Sequence, residues 1–497
     1  MFLNHLKSVN CQPVGLVVGV FLIALCVPAH SQRPEITPGL APVLAPIQHQ
    51  RYYLHERELF GYNPRFVVNT VQFGPDNRPY IRSKPLIHPD GPTAVQTLDD
   101  EGNWIRLEFV SALYSAYPGW NGQFLDVYDN ATNSDDRIVF DDDGDAYMLL
   151  RLSGYGYNLM HSQDLCRTWA VYPLVASTVD PRLQFRDSYN DLQRPPVIVR
   201  RDSGTLRMNL YVITKNAGGT LTLTHRQVPS HSLVGGGLNG GKGMANLTVT
   251  KGSKTHIVYA GRNQVGDDKG TPQYVQTYDH TTDTFSDPVY LGSAGIGDPD
   301  VHNWPGITID SEGYLHVVLG AHGAKSGQRF RYTRSLVPNS STDGWTTLEN
   351  LAGGLTYLSL VCGTDDALHV VARHHWESQS QQQKLKYDRK KDGQSWETRR
   401  TLVIPFGESA EERAEYTHYR QNLNIDRLGR LFLTYYSRRR IDEIYPVMLD
   451  AYNAKWPCID LPYGHDFIDR PAMLISDDGG DTWRLAVTGD FVNGILD

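Results

Sequence analysis

Residues 298–323, "DPDVHNWPGITIDSEGYLHVVLGAHG", double back at "DSEG" and carry three histidines in 26 positions. The largely apolar runs on either side of Gly313 read as the two arms of a β-hairpin, with glycine supplying the positive φ of a tight turn. The same turn recurs along the chain. It stands in "LDDEGNWIRL" at Gly102, "FDDDGDAYML" at Gly144, "RRDSGTLRMN" at Gly204, "TKGSKTHIVY" at Gly252, "GTDDALHVVA" at Asp366 and "IDRLGRLFLT" at Gly429. With the opening copy that makes seven turns, 42 to 63 residues apart. A strand-built repeat of about 40–50 residues is how propeller blades read. The expected fold class is therefore all-β, a single seven-bladed β-propeller.

A second pattern agrees. "SDDGGDTW" (476–483) fits S-x-D-x-G-x-T-W, the Asp box, and "SQDLCRTW" (162–169) fits it with Cys166 in the glycine's place. "KKDGQSW" (390–396) is a worn copy. The motif builds a turn between outer strands: Asp caps backbone N–H groups, glycine allows the positive φ, and Trp packs between blades. It speaks for architecture and not for chemistry.

The chain has 497 residues, 40% hydrophobic and 21% charged, an ordinary globular composition. Its net charge of −8 argues against a nucleic-acid surface but leaves room for an anionic substrate held by a local Arg/His patch. Residues 1–31 read as a signal peptide: Lys7 precedes "VGLVVGVFLIALCVPAHS", whose apolar run is shorter than the ~20 residues a spanning helix needs. Residues 32–50 read as a Pro-rich leader, and 51–497 as the propeller catalytic domain. A secreted or periplasmic protein is expected, with no membrane attachment once the signal is removed. Cys166, Cys362 and Cys458 remain after the signal, too few and too odd in number for a disulfide framework.

Aligning the copies on "LHV" places the side chains. In a blade the innermost strand follows the tunnel and the next strand returns beside it, and residues two apart share a face. His302 lies eight residues before Asp310 and His418 eight before Asp426, at equivalent strand starts, with Tyr357 two positions further along in the blade between. On returning strands, His322, Arg262 and His375 each lie six residues after an "LHV"-type histidine, and Arg373 sits two before His375. All of these should gather at one mouth of the propeller, with Asn303 beside His302, and Tyr416, Tyr419 and Arg420 beside His418. The recurring His256, His316 and His369 occupy one structural position and are expected to pack or hydrogen-bond.

A mouth rich in His, Tyr and Arg suits β-elimination on a uronic acid. A base removes the C5 proton, an Arg or protonated His neutralises the adjacent carboxylate, and an acid protonates the leaving glycosidic oxygen. Tyr serves as acid or base where neighbouring positive charge favours its phenolate. His302, His322, Tyr357 and Arg373 supply that set as catalytic candidates. Asn303, Arg262, His375, Tyr416, His418, Tyr419 and Arg420 are candidates for substrate contact. Glycoside hydrolysis would ask for a carboxylate pair, which the pattern does not place. A propeller glycoside hydrolase, sialidase- or rhamnosidase-like, and a non-catalytic glycan-binding propeller remain the alternatives.

The stretch "DVHNWPGITIDSEGYLHVVLGAHG", with its histidine pair twenty residues apart, and the Tyr357/Arg373 pair sixteen apart resemble the secreted propeller-type polysaccharide lyases, best represented by the ulvan lyases. The resemblance runs over about 240–440. It implies acid/base and substrate-contact roles for the two histidines and Tyr357, carboxylate neutralisation by Arg373, and a substrate contact from Tyr416 or Tyr419. It implies an anionic, uronate-containing polysaccharide as partner, sulfated or not, and no nucleic acid. No cofactor is required for catalysis. Some members of that group hold a structural zinc or calcium ion, for which Cys458, His465 and the loop "DNATNSDD" (129–136) are the candidate ligands. A monomer is expected.

Overall fold

A computed structural model describes residues 47–48, 70–83, 94–122, 137–190, 192–233, 245–262, 270–295, 302–322, 329–374, 384–404, 416–440, 466–468 and 472–496. Within 416–420 and 436–440 only the backbone is described. Among these residues, 31 strands form seven small sheets, the blades of a β-propeller. Blades I to VII span residues 71–108, 138–173, 178–227, 248–294, 306–353, 355–404 and 416–485. The expectation of seven blades holds.

The turn chemistry explains why each blade folds where it does. In blade V, strands Gly306–Ile309 and Leu315–Leu319 pair antiparallel. Between them the Asp310 carboxylate accepts the Tyr314 N–H at 2.7 Å, and Gly313 sits at φ 91°. Blade VII repeats the device: Asp426 accepts the N–H groups of Leu428 (3.0 Å) and Arg430 (2.8 Å), with Gly429 at φ 81°. An Asp carboxylate that satisfies the turn's own donors makes the reversal local and independent of the rest of the fold.

Two of the seven turns belong to other hairpins than expected. Gly102 joins the third and fourth strands of blade I, and Gly204 joins the second and third of blade III. The first hairpin of blade I turns instead at Asn77, whose φ of 62° a glycine-based search passes over. The outer turns at 162–169 and 476–483 share one bonding scheme. The Ser162 hydroxyl receives the Cys166 N–H at 2.9 Å, and Asp164 receives the Thr168 N–H at 2.8 Å. The Ser476 hydroxyl receives the Gly480 N–H at 2.8 Å, and Asp478 receives the Thr482 N–H at 2.9 Å. Cys166 adopts the left-handed φ of 70° that Gly480 takes at 87°, so the substitution is accommodated in conformation as well as in place.

Successive first strands line the ring, and their neighbours bury them on both faces. Hence the inner strands read as apolar runs: Gly306–Ile309 is buried throughout. One hydrophobic cluster runs unbroken from Val197 to Ala372, through blades III to VI. The ring closes where the first strand of blade VII meets that of blade I, with Gln72 Nε2 donating to Asn424 Oδ1 at 2.6 Å. A helix after the last blade, α2 (Thr488–Val492; α1, Val110–Ala116, follows blade I), seals the joint. Its Phe491 packs with Phe73 and Phe432, at ring centroids of 6.4 and 5.4 Å.

Two connections were not expected. Ile47–Gln48, within the stretch read as a leader, pairs in parallel with Val403–Ile404 at the edge of blade VI. Residues 184–190 bridge the turn-side ends of several inner strands: Gln184 reaches Thr250, Asp187 receives the Thr308 hydroxyl at 2.5 Å, and Ser188 donates to the Cys362 carbonyl at 2.7 Å. Burial pushes the Asp187 carboxyl up to about 6. This segment lies across the tunnel end opposite the one where inner strands begin.

Candidate active site

The cluster is made where blade V crosses itself. Gly320 follows the second strand, and the backbone of Trp304 precedes the first. The two pass so closely that a Cβ on Gly320 would lie 1.8 Å from the Trp304 carbonyl oxygen. Only glycine allows this approach. Two residues outward on each side stand His302 and His322, and the crossing brings their rings to 4.4 Å between centroids, tilted by 36°. Both are half-buried. His302 lies four residues ahead of its strand, in a turn, and not at the strand's start as the alignment with His418 suggests.

Tyr357 comes from the first strand of blade VI, Leu355–Cys362. Its ring centroid is 5.7 Å from those of both His302 and His322. Its backbone is unusual: φ is 58°, in the left-handed region that an aromatic residue seldom adopts. The pairing register with the returning strand Leu368–His374 shifts between Thr356 and Ser359, the signature of a β-bulge. The bulge re-aims a side chain that regular pleating would place elsewhere. Gln421, wholly buried on the neighbouring inner strand Tyr416–Ile425, donates its Nε2 to the Tyr357 carbonyl, and the Leu423 N–H donates to Ser359 Oγ at 2.8 Å. These bonds clamp both sides of the bulge. Sequence reasoning missed Gln421; the only signal was a second register shift, between Tyr419 and Asn422, which requires the structure to see.

Arg373 stands opposite Thr356 in the same sheet, 5% exposed. Its guanidinium carbon lies 4.4 Å from the Tyr357 ring centroid, a cation–π contact. The four side chains expected to be catalytic thus form one contiguous group: two imidazoles, a phenol and a guanidinium.

The remaining candidates fall differently. Arg262 is exposed, just past the second strand of blade IV, Lys254–Ala260, on the same face. Asn303 is wholly buried and donates its amide to Thr271 Oγ1 at 2.9 Å, while its carbonyl accepts from Gln273. These bonds anchor the turn that carries His302. Tyr416, His418, Tyr419 and Arg420 lie on the first strand of blade VII, paired with the returning strand, where only the backbone is described. His375, Cys458, His465 and the loop 129–136 lie outside the described residues. Among the described residues no three His, Cys, Asp or Glu side chains gather as a metal-binding group, and no helix is long and apolar enough to cross a membrane.

The "LHV" histidines behave as packing residues. His316 contacts the Tyr332 hydroxyl at 2.7 Å through Nδ1 and Asp310 at 2.9 Å through Nε2, so it ties the hairpin turn to the third strand. His256 contacts Thr277 and Asn339, each at 2.8 Å, and His369 the Tyr387 hydroxyl at 2.7 Å. Burial lowers His256 to about 4 and His369 to about 3, which keeps both neutral.

Residues 252–457 match the family described as BNR repeat-containing family member. An ulvan lyase from Alteromonas sp. (strain LOR) is 26% identical over 142 residues, a stretch that covers 25% of this chain and 28% of that enzyme. Among solved structures, a PL25 ulvan lyase bound to a GlcA(1-4)Rha3S glycan overlaps with a TM-score of 0.36 at 16% identity, over 50% of this chain and 56% of that one. The α-L-arabinofuranosidase of Fusarium graminearum overlaps with a TM-score of 0.33 at 13% identity, over 60% and 87%. The sequence matches bear out the resemblance read from the histidine stretch: over its second half this chain is similar to BNR-repeat proteins and, at low identity, to an ulvan lyase.

Proposed function

We propose that this protein is a secreted polysaccharide lyase that cleaves a uronate-containing, ulvan-like polysaccharide by β-elimination. The observation that carries the reading is the convergence of His302, His322, Tyr357 and Arg373 within ring-contact distance. Arg373 pairs with the uronate carboxylate, which makes the C5 proton acidic. One of the two histidines or Tyr357 takes that proton, and another of the three gives a proton to the leaving oxygen. The C5–H and C4–O bonds break, a C4–C5 double bond forms, and the displaced sugar leaves with a free hydroxyl. Arg262 contacts further sugars, and Tyr416, His418, Tyr419, Arg420 and His375 are the remaining candidates for that role. The scheme draws on side chains alone, acts on an anionic glycan and asks for one copy of the chain.

The test is incubation of the protein with a panel of uronate polysaccharides, ulvan first. Elimination leaves an unsaturated uronate with its own ultraviolet absorbance, at a rate the His322→Ala variant loses. New reducing ends without that absorbance would assign the protein to the hydrolases. Neither product on any polymer of the panel would leave a glycan-binding propeller.

A further inference from the structure

A second set of side chains shares the mouth face. The second strands of blades V and VI end at this mouth, next to His322 and at Arg373. The second strand of blade II, Ala146–Leu152, runs in the same sense and ends on the same face, where the turn 153–155 presents Tyr155. Helix α1 leaves the outermost strand of blade I, Trp104–Glu108, at that face too. There the Tyr155 and Tyr117 rings lie 4.4 Å apart between centroids, tilted by 35°, and Tyr114 lies 5.2 Å from Trp120. Tyr114 and Tyr155 are 48% and 38% exposed, whereas Trp120 beneath is buried.

We propose that Tyr114, Tyr117 and Tyr155 form a remote binding site for the anionic polysaccharide, holding sugars well along the chain from the bond at the His/Tyr/Arg cluster. The proposal rests on the lyase reading for the identity of the glycan. Two observations support it. The rings are exposed but held in place. The Tyr117 hydroxyl donates to Asn158 at 2.5 Å, and a Cβ on Gly122, at φ 80°, would come within 2.9 Å of the Tyr114 hydroxyl. Rigid tyrosines offer a flat face for pyranose C–H groups and a hydroxyl for sugar oxygens, at small cost in side-chain entropy. Finally, the platform faces the same way as the cluster, so one glycan can reach both.

The test uses the full chain and the double variant Tyr114→Ala/Tyr155→Ala, with Tyr114→Phe/Tyr155→Phe as the stacking-competent control and a melting curve for each. Retardation in a gel containing ulvan is read beside KM on polymer and on a short oligosaccharide. Loss of about tenfold in polymer affinity and in polymer KM, with oligosaccharide turnover unchanged and the Phe variant close to wild type, is the expected result. Equal retardation of wild type and the Ala variant overturns the proposal, as it would if the platform served a protein partner. So does absence of retardation of the wild type. Retardation that the Ala variant loses, with no unsaturated product from the wild type, would keep the platform and overturn the lyase reading.

Discussion

Blade V carries two kinds of histidine within twenty-one residues. His316 is buried, and both ring nitrogens are matched by protein partners, Tyr332 and Asp310. His302 and His322 are half-buried, face each other across a glycine crossing, and share Tyr357 with the next blade. The residue type is the same; what differs is place: His316 lies in the hairpin's interior, and His302 and His322 lie half-buried at the mouth. A histidine tied at both ends fixes a hairpin; on the proposed reading, the pair at the mouth moves protons.

The sharpest break in the comparison is functional. His322→Ala or Arg373→Ala should lower turnover per folded molecule by about 10²–10⁴-fold, and the melting temperature of the half-buried His322 variant should move little. Steady-state rates beside thermal melts check it. Gly320→Ala comes next. The added methyl meets the Trp304 carbonyl, so the crossing must open, at about 1–3 kcal/mol in stability. Turnover should fall further than the loss of folded protein explains, because the histidine rings separate; denaturant titration and rates measured together decide this. His316→Ala should cost about 1–3 kcal/mol by leaving Asp310 and Tyr332 with an unmet bond in the interior. Its turnover per folded molecule should match wild type.

The smallest effect is in pH. His256 and His369 resist protonation in the fold down to about 4 and about 3, whereas the unfolded chain takes these protons near 6.5. Over that interval the unfolded state binds more protons, so stability falls as pH drops from about 6.5 toward 4. Asp187 works the other way: raised to about 6, it favours the fold on acidification between about 6 and 3.8 and partly offsets the loss. Melting temperatures across this range should decline, and His256→Gln should flatten the slope.

Much of the fold was legible because its turns are local. An Asp that satisfies its own turn, followed by a residue at positive φ, writes a hairpin into a few letters, as at 310–313 and 426–429. The site was legible to the extent that His302, His322, Tyr357 and Arg373 flank strands whose order the repeat predicts. What stayed hidden depends on register and on distant partners. A bulge at Tyr357 changes which face a side chain takes, and no periodicity announces it. The clamp by Gln421 spans 64 residues, the tunnel segment 184–190 meets blades IV to VI, and Asn303 is anchored by Thr271. Each is a contact between separate blades, and a single sequence carries no mark of it.

The most direct test sets the two histidines side by side on one sample of ulvan. Wild type, His322→Ala and His316→Ala, each corrected for its folded fraction, are followed by the absorbance of the unsaturated uronate. The account predicts that wild type and His316→Ala produce it at comparable rates and that His322→Ala does not. Product formation by His322→Ala at the wild-type rate would contradict it.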